Sequence, residues 1–352
     1  MSRLKFEGGW TALVTPFTEE KEIDWEGFRK NIEFQISQGI SGILPVGTTG
    51  ESPTLNWEEH VQVIDGAQDI AQKRCAVIAG TGSNSTEETL RATEEAKKAG
   101  VESVLLIDCY YNGPSSLELR KEYYERVAKA YPEIYIMPYI IPGRTGTILS
   151  AEDLAILSRE CPNVCAVKEA TGDLERMARV RELAGEDFDI ISGDDDLTFK
   201  MMLDPRIKAS GVISVISNIA PAAVEEMTRK ILAGEQAEAR VIQEALQPLS
   251  ELVTVKCKDE RILSQKKKVV VEDKFRNPLP IKTLMNGLGM SAGPCRPPLG
   301  KMTRAGVKMV RNAAKLVWQE NPQILKPVEE AYEVDIEERL ANDTYWNILA
   351  YE

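Results

Sequence analysis

With 352 residues, 43% of them hydrophobic, the chain is long enough for one large core and a smaller appended unit, which excludes global disorder. A formal net charge of −12 argues against a nucleic-acid or anionic-membrane partner, either of which favours basic patches. His60 is the only histidine and the six cysteines (Cys75, Cys109, Cys161, Cys165, Cys257 and Cys295) form no C-x-x-C pair, so they read as reduced core residues and no Cys/His metal site is expected.

Residues 1–7 lack the apolar stretch of a secretion signal, and no later run reaches membrane-spanning length. The expected location is the cytoplasm, with no membrane partner. From residue 10 onwards, short apolar runs recur at 10–15, 42–46, 75–79, 103–107, 134–139, 164–168, 189–192 and 211–215, each followed by a segment of helical period. After the first gap the starts fall roughly 22 to 33 residues apart, which suits a strand, a loop and a crossover helix. Segments such as 85–100 open on Ser/Thr and close on Lys-Lys-Ala-Gly, a plausible cap at each end.

Eight such units predict an α/β fold, a (β/α)8 TIM barrel with reactive groups at the carboxyl ends of its strands. The competing architecture is a doubly wound open sheet. Its commonest dinucleotide signature, Gly-x-Gly-x-x-Gly, does not follow the first strand, and Gly80-Thr81-Gly82 reads as a turn into a helix.

Polar motifs stand where these strands end. Gly47-Thr48-Thr49-Gly50-Glu51 offers two hydroxyls and turn N–H groups to a carboxylate, or else simply caps a helix. Tyr110-Tyr111-Asn112-Gly113-Pro114 follows the fourth strand, where the phenols serve chemistry or ordinary packing. After the fifth comes Tyr139-Ile140-Ile141-Pro142-Gly143-Arg144-Thr145-Gly146, a phenol beside a guanidinium aimed by a turn; arginine grips carboxylates bidentately.

The sixth run, Val164-Cys165-Ala166-Val167-Lys168-Glu169-Ala170, closes on a lysine. Burial disfavours an ammonium, lowering its pKa from ~10.4 and leaving a nucleophilic amine able to form a Schiff base. The alternative is a lysine with its head in water, paired with Glu169. Ser192-Gly193-Asp194-Asp195 and Gly211-Val212-Ile213-Ser214 end the last two strands, and glycine there permits close approach to the backbone. Asp194 and Asp195 read as caps of the next helix.

Beyond residue 221 helical patterning dominates, at 221–233, 237–252 and 305–320. The segment 256–275 carries Lys266-Lys267-Lys268 and Val269-Val270-Val271 and reads as a charged turn or a short hairpin, its lysines solvated. The acidic tail 322–352 holds Tyr332, Ile336, Leu340, Tyr345, Trp346, Ile348 and Leu349, and is expected to dock on its own subunit or a neighbour. The expected units are a barrel over 1–221, a helical carboxyl-terminal domain over 222–321 with an inserted loop near 256–276, and the tail.

With Gly-Thr-Thr-Gly-Glu, Tyr-Tyr-Asn, Pro-Gly-Arg-Thr-Gly and Val-Lys-Glu-Ala-Thr-Gly in this order, and Asn277-Pro278-Leu279-Pro280-Ile281-Lys282 further on, the chain resembles the dihydrodipicolinate synthase family, within the wider N-acetylneuraminate lyase family of class I aldolases. The resemblance implies a barrel with a helical carboxyl-terminal domain, assembled as a homotetramer of tight dimers, that condenses pyruvate with aspartate semialdehyde in lysine and diaminopimelate biosynthesis without a metal or organic cofactor. It implies that Lys168 forms the Schiff base, that Thr49 binds the pyruvate carboxylate, and that Gly193 and Ile213 line the pocket through their backbones. Tyr139 then shuttles protons, connected through Thr48 to Tyr111 of the partner subunit, and Arg144 holds the carboxylate of the aldehyde. Trp57, His60, Asn84, Glu88 and Tyr110 match the positions of a lysine feedback site, although His60 by itself reads as a plain helix residue.

The chain departs from the family at Asp108-Cys109, where Thr-Pro is common, and at Ile140, where Asn is usual. Two rival functions remain at this level: an aldolase or dehydratase for 2-oxo-3-deoxy sugar acids, and a barrel that binds metabolites without catalysis.

Overall fold

The structure, a computed structural model, describes residues 4–264 and 267–351. Eight parallel strands close into a barrel in chain order: β1 (Gly8–Ala12), β2 (Gly42–Leu44), β3 (Ala76–Gly80), β4 (Ser103–Ile107), β5 (Tyr135–Ile140), β6 (Ala166–Glu169), β7 (Asp189–Ser192) and β8 (Gly211–Ser214). Closure is made by β1 on β8, with Gly8 opposite Gly211 and Thr11 opposite Ser214. Side chains alternate across each strand, so one set fills the barrel and the other packs under the helices. Phe6, Trp10, Leu44, Ile78, Leu105, Met137 and Ile191 form the interior cluster. Gly42 is required there: a Cβ on it would lie 2.2 Å from the Trp10 ring.

Crossover helices begin where short polar side chains satisfy the first free N–H groups. Asp24 accepts from Gly27, Ser85 from Glu88, and Asn56 forms a reciprocal pair with Glu59. The helix Pro221–Leu232 covers the β1–β8 seam, with Glu225 accepting from the Gly9 N–H at 2.7 Å. The barrel layer therefore extends past residue 221.

The carboxyl-terminal helices Gln236–Ser250, Leu279–Leu288 and Arg304–Glu320 lie close to the expected positions. Between the first two, the expected turn or short hairpin is instead a long antiparallel one, β9 (Thr254–Ser264) on β10 (Lys267–Arg276). Lys267 and Lys268 belong to a strand rather than a loop, and Lys268 pairs with Glu260 across it at 2.9 Å. Lys266 lies outside the described residues.

The tail docks on its own chain. Trp346 is 2% exposed and rests on Gly287, where a Cβ would come within 2.3 Å of the indole. Tyr332 donates from its hydroxyl to Asn31 Oδ1 at 2.6 Å, and Ala350 bridges Met302. Among the described residues no helix is long and apolar enough to cross a membrane.

Candidate active site

A cavity of about 400 Å³ opens at the carboxyl ends of the barrel strands and is lined by Thr48, Thr49, Tyr139, Arg144, Lys168 and Gly193. Lys168 and Tyr139 are register partners on β6 and β5, and the Lys168 Nζ lies 4.3 Å from the centre of the Tyr139 ring. Lys168 is 5% exposed. Burial lowers its pKa to about 7; the Asp195 charge opposes this and the Arg144 charge assists it. The neutral amine is therefore accessible near pH 7.

The alternative pairing with Glu169 does not occur. The Glu169 carboxylate turns away to Arg176 at 3.2 Å and accepts from the Thr171 hydroxyl. Gly193 gives space to the lysine stem itself: a Cβ there would sit 3.0 Å from Lys168 Cε.

Burial pushes the Tyr139 phenol up to about 12, so it is neutral and able to donate a proton; Arg144 and a hydrogen bond with Thr48 pull the other way. Thr48 and Thr49 sit in a turn entered through Val46, whose φ of 58° is costly for a β-branched residue, roughly 1–3 kcal/mol. Gly80 makes room for this kink, since a Cβ on it would lie 2.3 Å from the Val46 carbonyl oxygen. The turn is pinned at its far end by Glu51, fully buried, which pairs with Lys282 at 2.6 Å and accepts from the Arg296 N–H. Lys282 also donates to the carbonyls of Thr15 and Pro294. Two distant motifs thus meet in one buried ion pair.

Arg144 lies in the short helix Pro142–Thr145, and one Nη donates to the Asn277 carbonyl at 3.0 Å. Asn277 Nδ2 donates to Thr49 Oγ1 at 2.9 Å. Asn277 also lines the cavity, a role that residue-by-residue reading of the sequence missed. The sequence context of Asp195 predicts a helix cap; in the fold it instead accepts from the Ser214 hydroxyl and the Val215 N–H, its pKa raised by burial to about 6. The following helix starts at Thr198, too far along for that cap.

Two expected residues stand apart. Ile213 packs in the barrel interior beside Tyr139 and Ile191. Tyr111, 93% exposed with a φ of 70°, is outside the cavity within one chain. The cavity continues to Trp57, His60, Glu88 and Tyr110, while Asn84 Oδ1 accepts from the Tyr110 N–H at 2.9 Å. His60 donates from Nε2 to the Ser52 carbonyl, and burial lowers its pKa.

The model of the Dihydrodipicolinate synthetase family matches residues 5–316. The 4-hydroxy-tetrahydrodipicolinate synthase of Methanoculleus marisnigri is 38% identical over 309 residues, 87% of this chain and 97% of the relative. Among solved structures, the chloride-inhibited dihydrodipicolinate synthase of Acinetobacter baumannii complexed with pyruvate is 33% identical with a TM-score of 0.79, covering 89% of this chain and 99% of that one. The lysine-bound enzyme of Cyanidioschyzon merolae is likewise 33% identical with a TM-score of 0.79, covering 89% of this chain and 98% of that one.

Proposed function

The chain belongs to the dihydrodipicolinate synthetase family, and from that membership we propose how its own residues carry the reaction. The activity is that of a 4-hydroxy-tetrahydrodipicolinate synthase, a lyase of lysine biosynthesis that condenses pyruvate with aspartate semialdehyde. The observation that carries the assignment of roles is the buried Lys168 amine facing the Tyr139 phenol inside the closed barrel.

Neutral Lys168 attacks the ketone carbon of pyruvate, whose carboxylate is held by the Thr49 hydroxyl and the N–H groups of its turn. Tyr139 gives a proton to the departing hydroxyl, water leaves, and the protonated imine forms. The Tyr139 phenolate takes a methyl proton to give an enamine, whose carbon attacks the aldehyde, and the new alkoxide takes that proton from Tyr139 while Arg144 grips the second carboxylate. The amine of the semialdehyde then attacks the imine carbon, closing the ring and releasing Lys168. Tyr139 regains its proton through Thr48.

Within one chain that relay stops at Thr48, and Tyr111 is displayed on the surface. This supports an assembly in which Tyr111 of the partner subunit completes the chain, in a homotetramer of tight dimers. Buried free cysteines suit the reducing cytoplasm. The arm of the cavity near Glu88 and Tyr110 suits lysine as an effector, its ammonium towards the carboxylate. Incubation with pyruvate and borohydride, followed by intact mass and peptide mapping, should place one adduct on Lys168; an unmodified protein would remove the Schiff-base assignment.

A further inference from the structure

Asn277 stands where β10 returns to the barrel, and it is 6% exposed. Three of its polar atoms are committed: Nδ2 to Thr49, the backbone oxygen to Arg144 and the backbone N–H to the Val253 carbonyl. The remaining one, Oδ1, is buried without a hydrogen-bond partner, in a residue that lines the cavity holding Lys168. Leaving such an acceptor unmade in the interior is unfavourable, and a bound ligand that supplies the donor recovers the loss.

The surroundings hold this acceptor in place. Val253, at the other root of the hairpin, lines the same cavity, and Arg276 donates to the Gly143 carbonyl at 3.0 Å. The loop that presents Arg144 and the residue that presents Oδ1 are thus tied together on both sides.

We propose that Asn277 is a substrate-binding residue that selects the aldehyde partner by its amino group: Oδ1 accepts a hydrogen bond from the ammonium of aspartate semialdehyde while Arg144 holds the carboxylate. This rests on the reaction assigned above. Ammonium and carboxylate are borne by one carbon of that substrate, so the groups that recognise them must be neighbours, and here Arg144 is hydrogen-bonded to Asn277 itself. A carbonyl oxygen repels a carboxylate and attracts an ammonium, which fixes the orientation. Being uncharged, it also leaves the ammonium free to lose its proton before ring closure, whereas a carboxylate there would hold the proton on.

The test compares aspartate semialdehyde with succinate semialdehyde, the same aldehyde acid without the amine, as substrate and competitor respectively. Asn277→Leu should raise the KM for aspartate semialdehyde about tenfold or more, the loss expected for a hydrogen bond to a charged group, and leave inhibition by succinate semialdehyde unchanged. Asn277→Asp should keep the preference for the amino substrate, lower kcat and move the rising limb of the pH–rate profile upward. Equal weakening of both aldehydes, as from a side chain that merely props Thr49, or no change in either, would overturn the proposal. Should Asn277→Leu fail to fold by circular dichroism, Asn277→Ala gives the same comparison. Borohydride trapping of pyruvate in the unmodified enzyme reads the Schiff base separately, so failure there indicts the assigned reaction and not Asn277.

Discussion

Lys168 and Tyr139 are direct cross-strand partners on β6 and β5, which brings the amine nitrogen to 4.3 Å from the centre of the phenol ring. Strand register, set by hydrogen bonding along the whole barrel, thereby fixes the distance between the proposed nucleophile and proton donor. Neither side chain needs a flexible loop to find the other.

The rate of imine formation should climb with pH and level off above about 7, because only the neutral amine attacks and burial sets the Lys168 pKa near that value. Stability follows the same group with a definite sign. The folded pKa lies below the unfolded one, so the unfolded chain binds more protons between about 7 and 10.5 and stability from this group rises with pH across that window. At neutral pH the lysine is a burden, and Lys168→Met should raise unfolding free energy by roughly 1–4 kcal/mol while abolishing turnover. Denaturant melts of the two proteins at pH 7 and pH 10 check this: an equal difference at both would refute it.

Arg144→Ala should leave pyruvate trapping intact and raise the KM for the semialdehyde by about 10- to 100-fold, the loss of a charge-assisted grip. Parallel loss of trapping would move Arg144 into the first half-reaction.

Mixing two inactive variants tests whether Tyr111 crosses between subunits. A hybrid of Lys168→Ala and Tyr111→Phe chains contains one site with an intact lysine and an intact tyrosine supplied from the other chain. Refolding the two together should restore activity that neither shows alone. Continued silence of the mixture would confine Tyr111 to its own chain.

Glu51→Leu strands the Lys282 ammonium in the interior and should destabilise the protein by about 3–5 kcal/mol, whereas the double variant Glu51→Leu, Lys282→Met should recover most of that loss. Urea melts give both numbers, and a double variant as weak as the single one would show that the pair acts through something other than compensated charge.

Lysine should slow turnover, and Glu88→Ala should relieve that inhibition without altering the KM for pyruvate. Full activity in saturating lysine would leave that arm of the cavity without a regulatory role.

The barrel was legible because each strand is a short apolar run with a punctuated helix behind it, a local signal that survives without tertiary information. Lys168 was legible for the same reason: a charge at the end of a buried run is conspicuous. Asp195 was not, since an aspartate before a helix has a strong local explanation, and only the fold brings Ser214 and Val215 to it. Asn277 reaches Thr49 from 228 residues away, and no pattern in either segment announces the other. The hairpin was underestimated because β9 is rich in charge and solvent-exposed over most of its length, so it lacks the apolar alternation by which strands are recognised.

The helix Leu279–Leu288 is gripped from two sides: Lys282 reaches the threonine turn through Glu51, and Gly287 is capped by Trp346 from the tail. The family model ends at 316, thirty residues before that tryptophan. Removing the tail that carries Trp346 would uncover the indole's seat and loosen the post to which the threonine turn is moored. What looks like an appendage is a brace two contacts from the chemistry.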